Sequence, residues 1–265
     1  MSLTAHCLIK NEENFIEYAV LSVIDFVDQI LIFDTGSTDK TVHILKRIQK
    51  QFPDKVIFEE KGECDKIKHT QLRQEMLDRT NTEWFMVLDG DEVWTRRAME
   101  EAVNLIKKNK EIKCIITPFY LCVGDVFHAY PVRKNFSMLG KKGFFTVRFF
   151  QKSHVRWVGE YGVDTLVDSS NSLAFNNSNS LFLKEKFWHL THLERSSLQD
   201  DIFSSGGYRT LKLRETYFLI GRKIQEDIPE VFDSIFIKKN KLFFLKSLIN
   251  FIIWSIRRLM KSFGN

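Results

Sequence analysis

The stretch Trp84-Phe85-Met86-Val87-Leu88-Asp89-Gly90-Asp91-Glu92-Val93-Trp94 sets the first problem this chain poses. Trp84 to Leu88 are apolar, and they run straight into Asp89-Gly90-Asp91-Glu92. A short apolar run that ends at a glycine-containing turn reads as a buried strand, here Glu83 to Leu88. Carboxylates gathered at a strand end repel one another unless something positive sits between them. A divalent metal meets that need. Asp89 and Asp91 stand at i and i+2 where the chain turns, and Gly90 leaves room for a ligand. Hard oxygen donors in this pattern suit Mg²⁺ or Mn²⁺, with phosphate oxygens and water completing the shell. The plainer alternative is an acidic turn that opens the next helix, with Glu92 in its first turn.

Outward from this stretch, the first third of the chain alternates strand and helix. Leu3 to Ile9 is a short apolar strand. Asn11 to Phe26 has apolar residues at helical spacing. Gln29 to Phe33 reads as a second strand, followed by the loop Asp34-Thr35-Gly36-Ser37. Ser37 or Thr38 opens a helix running to about Gln51. Lys55 to Phe58 is a third strand, and Asp65 to Arg79 a further helix. Strands separated by helices of this length predict a parallel sheet wrapped by helices. Ligands of such sheets bind at the carboxyl ends of the strands. Lys10-Asn11, Asp34 and Asp89 to Glu92 all fall at those ends. After Glu111 the pattern changes: Ile112 to Val123, Phe144 to Phe150 and Val155 to Val158 are β-branched and aromatic, and predict mixed or antiparallel strands. Residues 168–180 form a polar loop, and from Ser196 onward the chain reads as helical.

The bulk numbers set limits. The 265 residues, 44% hydrophobic and 28% charged, describe a globular chain and not a disordered one. A net charge of +5 suits an anionic partner. The basic residues are spread along the chain without a reader motif, so nucleic acid is not expected as a partner. Cys7, Cys64, Cys114 and Cys122 form no CxxC pair and have no histidine at zinc-finger spacing, as expected of reduced cysteines. No secretion signal and no membrane-spanning run is read, so a cytoplasmic location is expected.

Three pieces carry a family likeness. They are Ala5-His6-Cys7-Leu8-Ile9-Lys10-Asn11-Glu12-Glu13, then Ile32-Phe33-Asp34-Thr35-Gly36-Ser37-Thr38-Asp39, then Leu88-Asp89-Gly90-Asp91-Glu92. In this order they resemble family 2 glycosyltransferases of the GT-A fold, closely over residues 1–95 and loosely to about 195. The resemblance implies an α/β fold with a Rossmann-like, mostly parallel sheet over 1–195, and a helical C-terminal region over 196–265. It implies a donor that is a nucleotide-diphosphate sugar, with a UDP-sugar favoured, and inverting transfer to a glycan or lipid-linked acceptor. Lys10, Asn11, Glu12, Asp34, Arg73 and Asp89 would then face the nucleotide. Asp91 would be the main metal ligand, helped by Asp89, for Mn²⁺ or Mg²⁺. In Arg156 to Leu166 the spacing favours Asp164 as general base; here Val163-Asp164 stands where several relatives have His-Glu, so Glu160 remains a second candidate. A late histidine completes the metal site in related enzymes, and His189 and His192 are the two options. Arg195-Ser196 would contact diphosphate oxygens.

Two other readings compete. Met86 to Val93 also matches the strand-plus-DxDxV motif of haloacid dehalogenase-type phosphatases, with Asp89 as nucleophile and Asp91 as acid/base. Against it, that motif usually opens a domain, and here it does not. The chain could also be a non-catalytic binder held at a membrane surface. Lys241 to Phe263, KLFFLKSLINFIIWSIRRLMKSF, contains no acidic residue. On a helical wheel Lys246, Asn250, Arg257, Arg258 and Lys261 fall within about 120° of arc. A basic amphipathic helix of this kind lies in a membrane interface, which predicts peripheral attachment at the inner face of the cell membrane. The same face could instead pack on its own domain or on a second copy in a homo-oligomer.

Overall fold

The computed structural model describes residues 2–132, 136–197 and 221–242, together with residues 245, 249, 252 and 256. The elements in chain order are β1 (Leu3–Ile9), α1 (Ile16–Val23), β2 (Gln29–Asp34), α2 (Thr41–Gln51), β3 (Val56–Glu60), α3 (Lys66–Arg79), β4 (Trp84–Val87), β5 (Glu92–Val93) and α4 (Arg96–Lys108). There follow β6 (Cys114–Val123), β7 (His128–Ala129), β8 (Ser137–Met138), β9 (Lys141–Lys142), β10 (Phe145–Gln151), β11 (Arg156–Val158), β12 (Thr165–Val167), β13 (Ser180–Phe182), β14 (Phe187–His192) and β15 (Arg222–Lys223). Residues 234–242 form a last helix, α5.

The main sheet runs β15-β7-β6-β10-β4-β1-β2-β3, with β13 and β14 attached to β6, and β5 to β14. The four strands β3, β2, β1 and β4 are mutually parallel. The chain steps outward from β1 to β2 and β3, then returns to lay β4 on the other side of β1. That reversal opens a crevice beyond the carboxyl ends of β1 and β4. Helix cover on both faces explains why every residue of β1 is buried. One face packs Ile16, Val20, Leu45, Met99 and Ala102 against Ala5, Ile30 and Met86. The opposite face packs Leu72 and Met76 of α3 against Leu8, Leu31 and Phe33.

Beyond β4 the sheet becomes antiparallel, because β10 inserts between β4 and β6. A register shift between Val147 and Phe149 interrupts β10 at Arg148. Such bulges turn one side chain off the regular alternation.

The structure moves some boundaries. The first helix starts at Ile16 and not at Asn11, because Glu12 to Asn14 are spent on contacts to other loops. The second starts at Thr41, since Ser37 and Thr38 bond Asp34 and Asn11 and so stay in the loop. The reading of 196–265 as wholly helical also needs correction. Arg222 and Lys223 pair with Ala129 and His128, so the chain rejoins the main sheet there. Gly221 permits that approach, since a Cβ on it would meet His128 Cβ and Val123 Cγ2, each at 2.7 Å. Residues 198–220 and most of the basic helix expected at 241–263 lie outside the described residues.

Candidate active site

A cavity of about 610 Å³ fills the crevice at the β1 and β4 ends. β1 delivers Leu8, Ile9 and Lys10, and the loop after it delivers Glu12. The β4–β5 turn delivers Asp89, Gly90 and Asp91. α3 delivers His69 and Arg73, one turn apart on one face. β14 and its following loop deliver His189, Thr191 and Arg195, and the loop after β11 delivers Tyr161. The β1 and β4 loops meet tightly, for a Cβ on Gly90 would lie 2.8 Å from Glu12 Cγ and 3.0 Å from Ile9 Cγ2.

Arginine is what lies between the carboxylates of the opening stretch. Arg148 Nη2 donates to Asp89 Oδ2 at 2.7 Å and to Glu92, and Arg148 Nε donates to Glu92 Oε1 at 3.0 Å. Arg73 Nη2 lies 3.6 Å from Asp89 Oδ1. Arg195 pairs with Glu12 and lies 3.4 Å from Asp91 Oδ2. The acidic turn is thus compensated by the chain's own guanidinium groups, a source of positive charge beside the expected metal ion. Burial drives the Asp89 carboxyl upward, but Arg148 and Arg73 outweigh it and hold it below the usual carboxylate range. Glu92 is fully buried, and burial pushes it up to about 7 despite Arg148. His189 goes the other way: burial lowers it, but Asp91 beside it raises it overall.

Each expected site residue has a definite place. Lys10, Glu12, Arg73, Asp89, Asp91 and His189 all line the cavity. His189 Nε2 stands 3.5 Å from Asp91 Oδ1, while His192 is buried and does not line it. Asp34 and Asn11 stand outside the lining. Asp34 closes its own loop, accepting from Gly36 N at 3.0 Å and Ser37 N at 2.9 Å. Asn11, at φ 55°, accepts from Thr38 N at 2.8 Å and so ties the two loops together. Asp164 lies just behind the wall, 3.5 Å from Arg73 Nε and 3.9 Å from His69 Nδ1. Glu160 is exposed, and its backbone carbonyl takes the turn bond from Val163 N.

Sequence reasoning passed over Arg148, His69 and Tyr161. Arg148 did leave a signal, as the one charge in Phe144 to Phe150, Phe-Phe-Thr-Val-Arg-Phe-Phe. His69 gave none, because a helix histidine is as often a surface residue. It is half-buried, Arg73 lies on its own helix face, and burial followed by Arg73 lowers it to about 4. Its ring meets that of Tyr161 at 4.4 Å between centroids.

The donor set bears on the expected metal ion. Among the described residues no three His, Cys, Asp or Glu side chains converge as a ready-made metal site. Asp91 and His189 do converge. A divalent ion held by those two, with diphosphate oxygens and water for the rest of its shell, fits this chemistry.

The fold and the cavity together define a class. The crystal structure of TarS 1-349 from S. aureus matches this chain with a TM-score of 0.50 at 13% identity, over 72% of this chain and 61% of that one. The common fold is GT-A, a mixed α/β sheet with flanking helices. The family model described as "Glycosyl transferase family 2" matches residues 8–164, and the chain belongs to that family. It is also 26% identical over 156 residues to the SPbeta prophage-derived glycosyltransferase SunS of Bacillus subtilis (strain 168), covering 58% of this chain and 34% of SunS. The glycosyltransferase SunS of Bacillus phage SPbeta matches to the same extent. The chain therefore spans about a third of the length of these curated relatives. Family membership leaves the haloacid dehalogenase reading of Asp89 and Asp91 without support.

Proposed function

We propose that the chain is a metal-dependent, inverting glycosyltransferase that uses a UDP-sugar. One observation carries this reading. The crevice at the β1–β4 reversal gathers Asp89, Asp91 and His189 with Arg73 and Arg195 around one cavity. A nucleoside diphosphate needs both signs there: cations for its phosphates, and carboxylates for a metal and for ribose hydroxyls. In this reading Lys10, Arg73 and Arg195 face the diphosphate, and Asp89 the ribose. Asp91 and His189 would hold Mn²⁺ or Mg²⁺. The ion would supply charge neutralisation of the diphosphate leaving group.

The transfer balances simply. An acceptor hydroxyl oxygen bonds to the anomeric carbon as the bond from that carbon to the diphosphate oxygen breaks, and the nucleotide leaves with both electrons. The hydroxyl proton passes to a general base. Asp164 is the base in this reading. It touches two cavity-lining side chains, Arg73 and His69, whereas Glu160 faces solvent. Asp164→Asn should then abolish transfer and keep nucleotide binding, while Glu160→Gln should change neither.

We further propose attachment to an anionic membrane surface on the cytosolic side, consistent with a lipid-linked or other envelope acceptor. Residues 234–265 carry seven Lys or Arg and no Asp or Glu. Leu242, Leu245, Ile249, Ile252 and Ile256 are all exposed and follow heptad spacing. Among the described residues no helix is long and apolar enough to cross a membrane.

The test is UDP release from a panel of UDP-sugars with Mn²⁺, with Mg²⁺ and with chelator. Metal-dependent release that falls by roughly 10²-fold or more in Asp91→Ala supports the proposal. Release that ignores both chelation and that substitution contradicts it.

A further inference from the structure

A second cavity, about 380 Å³, lies outside the donor crevice, between β6, β7, β9 and β15. Its lining combines two kinds of side chain. Phe119, Tyr130 and Phe144 supply aromatic rings, Phe144 buried and the other two half-buried, with Phe144 meeting Phe119 at 5.7 Å and Tyr130 at 5.9 Å between centroids. Lys142, Arg222 and Lys223 supply charge, and all three are exposed. Among the described residues these three cations have no carboxylate within ion-pair distance. Lys186 is different: it sits over the Tyr120 ring at 4.3 Å, donates to Tyr120 Oη at 2.8 Å and pairs with Glu226 at 3.3 Å.

The position of this cavity matters as much as its lining. Phe119 lines it and His189 lines the donor crevice, and the two rings meet edge-on at 5.3 Å. The two spaces adjoin across this ring pair. Arg222 and Lys223 are also held in place. Their strand is bonded to β7, Ile224 N donates to Phe127 O at 2.8 Å, and Gly221 packs against His128 and Val123.

We infer that this groove is an acceptor subsite for an acidic saccharide, a sugar chain that carries carboxylate or phosphate groups. The inference rests on the glycosyl-transfer reading and names the class of acceptor. Ring faces stack on the C–H faces of sugars, and cations beside them that have no carboxylate partner among the described residues select an anionic chain over a neutral one. Glu226, the one carboxylate of the described lining, is paired with Lys186. An acidic peptide is the competing occupant, since it would satisfy the cations but gain less from the rings.

Calorimetric titration of the full chain separates these cases. The probes are oligogalacturonate, a phosphorylated oligomannose, a neutral malto-oligosaccharide and an oligoglutamate, matched in length, with UDP plus Mn²⁺ titrated separately. At least one acidic saccharide should bind, more weakly as salt rises, and the tighter of the two names the anion. Arg222→Glu with Lys142→Glu should weaken it by roughly tenfold or more, because exposed like charges now face the ligand. Arg222→Lys should restore most of the affinity. Phe144→Leu should weaken the saccharide and leave oligoglutamate unchanged. Unaltered UDP binding in these variants shows that they are folded. The inference is overturned if neither acidic saccharide binds, if the neutral one binds as well, if oligoglutamate binds as tightly, or if the charge reversals have no effect. Loss of UDP binding by the unaltered chain, with saccharide binding intact, would count against the donor reading and not against the groove.

Discussion

At the scale of single residues, Arg148 decides whether the site can exist. It is the cation that both Asp89 and Glu92 share, and Glu92 has no exposure to water. Removing one partner of a buried ion pair strands the other charge. Arg148→Met should therefore cost roughly 3–5 kcal/mol in urea unfolding, and weaken UDP binding as well. Arg148→Lys should recover only part of this, since an ammonium cannot fork between two carboxylates. His6 makes a separate, pH-dependent contribution. It stacks on Phe85 and bonds Thr80, and burial, then Arg73 and Lys152, lower it from 6.5 to about 3. Between those values the unfolded chain binds a proton that the folded chain does not. Stability should then fall as pH drops below 6.5, by up to about 1.4 kcal/mol per pH unit from this one group. Denaturant midpoints against pH should show that slope, and His6→Leu should reduce it whatever its effect at neutral pH.

At the scale of elements, the turn between β4 and β5 and the caps of the neighbouring helices set the geometry. Gly90→Ala drives a Cβ against Glu12 Cγ and Ile9 Cγ2. It should separate the β1 and β4 loops, and so reduce UDP affinity more than it reduces stability. Thr95 caps α4 by accepting from Ala98 N at 3.1 Å, so Thr95→Ala should cost about 1 kcal/mol in thermal unfolding with UDP binding unchanged. Elements of this kind were largely legible in the sequence. The apolar runs of β1, β2 and β4 and the helix α3, read as Asp65 to Arg79, were visible in the residue pattern, while the Asp65 cap of α3 emerged only from the structure. Asp89 and Asp91 were visible because charge after an apolar strand is unusual. What could not be read was where other loops would spend a side chain. Asp34 was read as a binding carboxylate from its strand-end position, and the loop contacts it also makes, to the backbone of Gly36 and Ser37, left no trace in the pattern. Arg148 reaches the site only through a bulge, and a bulge leaves no periodic trace.

At the scale of the whole molecule, strand order places everything. β4 returns beside β1, so residues about 80 positions apart, Lys10 and Asp89, line one cavity. β14 then brings His189 to Asp91 from the far end of the domain. No single-residue pattern carries that information; only the family's ordered pieces hinted at it. The basic C-terminal stretch belongs to this scale as well. Vesicles containing anionic lipid should sediment the full chain in low salt, neutral vesicles should not, and high salt should release it. Failure to bind anionic vesicles would remove the membrane proposal and leave the site untouched. The most direct test of the proposed donor site is calorimetric titration of UDP into the unaltered chain and into Asp91→Asn, with and without Mn²⁺. The crevice chemistry predicts binding that strengthens with Mn²⁺ in the unaltered chain and loses that strengthening in the variant. No UDP binding under either condition, or an identical Mn²⁺ response in both proteins, would contradict it.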